Sequence, residues 1–237
     1  MSQFVLIAAL TGAVLASPAA AETLHYKAEW RLMHAGNIVL SYSPTGAHMT
    51  LESVGLVSKL YRVNDDYKVQ FRKGSRCSET IFFKIEEGKK RHEARANFPA
   101  APGKSSYVET DLLTKETIRT TELDVPACIH DVISALAQLR ANPHPGAAEF
   151  TLPVSDGRKF ANVRVRSHGK ERVKTEAGTF EAVKYEAGLM NNVIYRRSGK
   201  MFFWLTDDER RLPVRVRMQM SVFFGTVTID LVKEDRS

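Results

Sequence analysis

Alternation with a period of two runs through most of this chain and restricts it to a fold built of strands. Val163, Val165 and Ser167 point one way, and Arg164, Arg166 and His168 point the other. Val214, Val216 and Met218 oppose Arg215, Arg217 and Gln219 in the same way, and Val227, Ile229 and Leu231 oppose Thr226, Thr228 and Asp230. Side chains in a strand change face at each step, so these runs predict half-buried antiparallel strands with one dry and one wet face. Aromatic and β-branched residues mark further strands over 24–32, 37–43, 48–56, 67–71, 79–86, 91–98, 117–122, 180–186 and 201–205. Turn residues at 43–46, 86–89 and 176–178 predict hairpins. Pro213 has no N–H to give a ladder, so it should open its strand or lie at an edge.

One helix interrupts the pattern. Asp131 is a good N-cap for a helix over about 131–141, with Val132, Ile133, Leu136 and Leu139 as one apolar stripe. Arg140 falls in the last turn, where the dipole favours a cation, and Pro143 and Pro145 end the helix. The expected fold is mainly β: a curved antiparallel sheet or partly open barrel with this amphipathic helix packed against it.

The start of the chain has a different character. Residues 4–16 are an apolar run, Ser17 and Pro18 break it, and Ala19, Ala20 and Ala21 follow. That is the core and small-residue cleavage site of a secretory signal peptide over 1–21, too short to cross a bilayer comfortably. A single β-rich domain over 22–237 should follow, exported to the periplasm or beyond. No later stretch reaches eighteen uninterrupted apolar residues, so no integral membrane span is expected. An oxidising compartment and an even cysteine count favour a structural disulfide between Cys77 and Cys128. In the chain-entropy picture a closed loop of about fifty residues stabilises by ~4 kcal/mol. A redox pair lacks its C-x-x-C, and a metal site has His130 near Cys128 but nothing equivalent beside Cys77.

The formal net charge is +7. The cations are spread along the chain and interrupted by acids, and 89–91 and 209–211 read as solvated hairpin ends. Nucleic acid is not an expected partner, because no recognition motif is present. Anionic lipid headgroups, lipopolysaccharide and envelope glycans are the partners such a basic exported protein could meet. Arg164, Arg166, Arg215 and Arg217 are the candidate contacts, provided their strand faces line a concavity.

Catalytic signatures are missing: no H-E-x-x-H, G-x-S-x-G, P-loop or G-x-G-x-x-G occurs. Asp131 beside His130 is better explained by capping than by acid–base work, and Asp207 with Asp208 by a turn. Trp30 and Trp204 share strand faces with Tyr26 and Phe202 and read as core. No catalytic, cofactor-binding or metal-binding residue is assigned. The leading expectation is a non-enzymatic envelope protein that binds a lipid or other amphiphile in the concavity of its sheet. A glycan hydrolase would need two of Glu29, Glu52, Asp156 and Glu186 across one cleft. A structural partner of outer-membrane machinery would need an exposed apolar patch.

An ordered set of motifs also carries a resemblance. Glu29-Trp30-Arg31-Leu32 with Ala35-Gly36 comes first, then the run from Gly55 to Tyr67. The helix at Asp131 to Arg140, the segment Pro153 to Gly157, and Trp204 to Asp208 with Arg211 to Val214 follow, and Gly225-Thr226-Val227 comes last. The chain resembles the bacterial secreted family known as domain of unknown function 3108. The resemblance implies an exported, mostly antiparallel β protein of the envelope and brings no catalytic residues with it.

Overall fold

The computed structural model describes residues 21–141, 149–220 and 225–236. The first half holds β1 (Glu22–Trp30), β2 (Met33–Ser43), β3 (Gly46–Ser53), α1 (Gly55–Leu60), β4 (Asn64–Phe71), β5 (Ser78–Glu87), β6 (Lys90–Asn97), β7 (Gly103–Asp111) and β8 (Thr117–Val125). After α2 (Val132–Ala141) come β9 (Glu149–Ser155), β10 (Phe160–Thr175), β11 (Gly178–Ala187), β12 (Gly199–Thr206), β13 (Pro213–Met220) and β14 (Thr226–Arg236). All fourteen join one antiparallel sheet in the order β8 to β1, then β14 back to β9. The first and last strands therefore pair at its centre. The two edge strands, β8 and β9, are neighbours in sequence with α2 between them. This is the partly open, mainly β architecture that the alternation predicts.

Register turns alternation into a core. Tyr26 lies opposite Ile38 on one side and Leu231 on the other, and Ile38 lies opposite Leu51. Leu24, Tyr26, Ile38, Leu40, Val69, Ile81 and Leu231 are buried on this face. A second cluster gathers Leu152, Val163, Val165, Met201, Phe203 and Leu205 from the other half. Helix α2 is wedged between them: Ile133 packs on the first cluster, Val132 and Leu136 on the second. β12 is buried along its whole length from Met201. The end of the β10–β11 hairpin covers its second face, where Trp204 Nε1 donates to Glu171 and Ala177 N–H donates to the Leu231 carbonyl.

Three expectations need correction, and one strand is missed. The first strand stops at Trp30, because Arg31 and Leu32 form the turn, both with positive φ (51° and 63°). Residues 55–60 are helical, although an extended segment over 48–56 is expected. Six residues are too few to show a helical period, and none of them is buried. β7 escapes the alternation because one of its inward positions is Ser105, which is polar yet 1% exposed. On α2 the deepest residues are Ser134, Ala135, Ala137 and Leu139 rather than the whole expected apolar stripe, because both clusters press on it. The leader and the helix-ending prolines lie outside the described residues.

β8 and β9 do not pair with each other. The segment between them performs the closure instead. Ser78 N–H donates to the Ile129 carbonyl (2.8 Å), which ties the segment to the start of β5. His130 N–H donates to the Pro153 carbonyl (2.9 Å) and Ser155 N–H to the His130 carbonyl (2.8 Å), which ties it to β9. A disulfide joins Cys77 to Cys128 with Cα atoms 5.1 Å apart. Directly after it Asp131 is 1% exposed. Its Oδ1 accepts the N–H of Ile133 (2.7 Å) and of Ser134 (3.3 Å), and its Oδ2 accepts the Ser78 hydroxyl (2.9 Å). That is N-cap geometry with an added long-range bond. Residues 128–134 thus form a clasp that holds the two halves of the sheet around α2.

His130 makes the clasp sensitive to pH. Its Nδ1 lies 3.1 Å from the Arg76 carbonyl. A carbonyl only accepts, so Nδ1 carries the proton and the free Nε2 faces the Cys128 sulfur. Burial lowers its pKa from the ordinary value of 6.5 and keeps the ring neutral. A base with a depressed folded pKa contributes stability above its unfolded pKa and loses it as pH falls through the folded one. Denaturant midpoints should therefore drop as pH falls below about 6.5. In His130→Gln this part of the pH dependence should disappear, and an unchanged slope would show that the ring is solvated.

Candidate functional site

Among the described residues two surface clefts stand out. The larger, about 400 Å³, is lined by Lys27, Glu29, Lys174, Thr175, Glu176, Asp230 and Val232. Most of its charges are paired: Lys27 with Glu176 at 3.1 Å and with Glu29 at 3.6 Å, and Asp230 with Arg215 at 2.5 and 2.6 Å. The smaller, about 240 Å³, lies where α2 covers one end of the curved sheet. Tyr42, Ser43 and Pro44 at the end of β2, Arg76 beside the disulfide, Ala137 and Arg140 of α2, and Arg210 of the β12–β13 turn line it together with Glu22.

This second cleft has positive charge and polar groups to spare. Arg140 grips the Glu22 carboxylate with both terminal nitrogens, at 2.7 and 3.1 Å. Burial opposes its charge, but the bonds to Glu22 outweigh this and raise its pKa. Arg210 reaches the same carboxylate at 3.4 Å and also binds Glu234. Among the described residues Arg76 makes two long hydrogen bonds, 3.4 Å each, to the Ser43 and Pro44 carbonyls, and lies over the Phe71 ring. Three guanidiniums therefore share two carboxylates, Glu22 and Glu234, and Arg76 pairs with neither. The Arg140 guanidinium lies 5.1 Å from the centre of the Tyr42 ring. Among the described residues the buried Tyr42 hydroxyl has no hydrogen-bond partner, and neither has Arg140 Nε. Burial raises the Tyr42 pKa, so the hydroxyl keeps its proton and is a donor in waiting. An unsatisfied buried donor is costly and calls for an explanation. Neither the Tyr42 hydroxyl nor Arg140 Nε is reached by solvent, so an anion in the cleft would meet the terminal guanidinium nitrogens and reach the hydroxyl only if the lining parted.

The sequence-based candidates lie elsewhere. Arg164 and Arg166 on β10 share one partner, Glu149, at 3.1 and 2.9 Å. Arg215 is bound by Asp230 and by the Lys174 carbonyl, and Arg217 lies over Trp204 at 5.5 Å. Register places Glu186 and Phe202 between Arg166 and Arg217, so two strands separate the pairs. The four carboxylates weighed for hydrolysis are each engaged: Glu29 with Lys27, Glu52 with Asn37, Asp156 with Arg158 and Glu186 with His168. Cys77, Cys128 and His130 do converge, with one ligand atom from each within 4.8 Å, but the two sulfurs are bonded to each other.

The sequence model of the family described as protein of unknown function, DUF3108, matches residues 25–232. The chain belongs to the DUF3108 family. Among solved structures, the β-barrel-like DUF1849 protein of Brucella abortus superposes on this DUF3108 protein with a TM-score of 0.62. The two are 11% identical over 94% of this chain and 100% of that one, a likeness of fold alone. A Bacteroides fragilis protein with a YmcC-like fold gives a TM-score of 0.37 at 11% identity, over 90% of this chain and 95% of that one, too low to equate the folds. No curated protein matches the sequence.

Sequence reading of this DUF3108 protein misses the cleft because its residues come from five separated segments. Arg140 is expected to answer only the helix dipole. Instead it holds Glu22, and its carbonyl accepts an N–H from Arg211 at 2.9 Å. Arg210 and Arg211 are therefore not merely solvated turn residues. No local motif could have marked the group.

Proposed function

We propose that this DUF3108 protein is exported, acts in the periplasm or cell envelope without catalysing a reaction, and holds the anionic headgroup of an amphiphile in the cleft beneath α2. The carrying observation is that Arg76, Arg140 and Arg210 line one cleft together with Tyr42, whose buried hydroxyl lacks an acceptor among the described residues. Arginine forks suit phosphate and carboxylate oxygens, and phospholipid or lipopolysaccharide would provide them. The leader sequence supports export, and the disulfide fits an oxidising compartment. Arg164, Arg166, Arg215 and Arg217 remain proposed contacts for an anionic ligand at sites of their own, apart from the cleft. Each would first have to give up, or share, the partner it already has.

The cleft reading is tested by native mass spectrometry of protein purified from the envelope fraction without denaturant. Wild type should retain an acidic lipid that Arg76→Glu lacks. Equal occupancy in both, or none in either, would defeat the reading. N-terminal sequencing of the same material should begin at Glu22.

A further inference from the structure

We infer that the end of the sheet opposite the cleft is a docking surface for an anionic bilayer. β2 runs from Met33 to Ser43, so its start lies a full strand length from the cleft. Three connections gather at that far end. Val54 N–H donates to the Ala35 carbonyl, which seats α1 beside the β1–β2 turn. Gly88 N–H donates to the Arg62 carbonyl, which brings the β5–β6 turn against the end of α1.

The β1–β2 turn and α1 present apolar, bare tips. Leu32 is 97% exposed and Leu60 84%, with Leu56 and Tyr61 also exposed between them. Scattered exposed leucines need no explanation, but several on adjoining tips do. Leu32 is also held in the left-handed region, where glycine or asparagine would be at ease. Folding alone gives no reason for a bulky apolar residue there.

Charge identifies the occupant. Lys59 and Arg62 flank Leu60 and Tyr61, and Lys89 and Lys90 lie in the adjoining turn. The acids beside them are engaged: Glu87 by Lys90 (3.9 Å) and the Tyr61 hydroxyl (3.4 Å), Glu86 by Lys84 (2.9 Å), and Asp65 by the Glu86 N–H (3.0 Å). Lys59, Arg62 and Lys89 enter no ion pair among the described residues. Protein interfaces are depleted in lysine, whereas apolar tips ringed by lysine and arginine suit the headgroup region of an anionic membrane. Leu32, Leu56 and Leu60 would enter the acyl boundary while the cations meet lipid phosphates.

The test is flotation of the full chain with vesicles of phosphatidylcholine, with and without phosphatidylglycerol. Wild type should float only with phosphatidylglycerol, and less as salt rises. Leu32→Ser with Leu60→Ser should weaken binding by at least about tenfold, and so should Lys59→Glu with Arg62→Glu. All four positions are exposed, so circular dichroism should show both variants folded. Arg76→Glu should float like wild type, which separates this surface from the cleft. Binding that ignores lipid charge, or that survives loss of the leucines, would overturn the inference. So would a dimer in solution that the leucine variant abolishes.

Discussion

Replacing both cysteines, Cys77→Ala with Cys128→Ala, is expected to lower unfolding free energy by about 2–5 kcal/mol. The crosslink spans 51 residues and ties the β4–β5 connection to the clasp. In the chain-entropy picture a loop of that size is worth ~4 kcal/mol. For a domain of this length each kcal/mol moves Tm by about 2–4 °C, so a fall of about 10 °C is the central expectation. Reduction of wild type should give a similar loss. The effect should reach the cleft as well, because Arg76 precedes Cys77 and its carbonyl holds His130. Lipid retention should therefore weaken in the double variant even where it stays folded. A Tm within about 2 °C of wild type would show that the hydrogen bonds of the clasp suffice without the crosslink.

Asp131→Ala is expected to cost about 3 kcal/mol, which combines a lost N-cap of about 1 kcal/mol with stranded buried partners at about 1–3 kcal/mol. Ile133 and Ser134 would lose the acceptor for their N–H groups, and the Ser78 hydroxyl would lose its carboxylate. Ser78, Asp131 and Ser134 are each at most 1% exposed, so water does not easily repair the loss. Asp131→Asn keeps one acceptor oxygen for the cap and should cost less than half as much. Urea denaturation of the three proteins decides the matter. A loss below about 1 kcal/mol for alanine would mean that the carboxylate only caps the helix and does not fasten the clasp.

The repeating parts of this molecule are legible in its sequence, and the meeting points are not. Val163 and Val165 declare their face because their neighbours are charged, and Pro213 begins its strand as its missing N–H requires. Asp131 before a run of apolar residues carries its own helix-start signal. Ser105 gives none, because a small polar side chain looks solvent-facing until β8 is placed beside it and its hydroxyl donates to the Leu123 carbonyl. Arg31 and Leu32 hide their turn because neither is a turn residue. The cleft is the extreme case. Glu22, Tyr42, Arg76, Arg140 and Arg210 are unremarkable one by one, and only pairing of the first and last strands with α2 laid across brings them together.

We propose that the cleft beneath α2 receives an anionic headgroup among Arg76, Arg140 and Arg210. The most direct measurement follows the Arg140 Nε–H resonance by nitrogen-15 NMR during titration with short-chain phosphatidylglycerol, and with the matching phosphatidylcholine as control. The structure predicts a saturable shift of that resonance with phosphatidylglycerol, lost in Arg76→Glu and absent with phosphatidylcholine. An unmoved Arg140 resonance, or an equal response to both lipids, would contradict it.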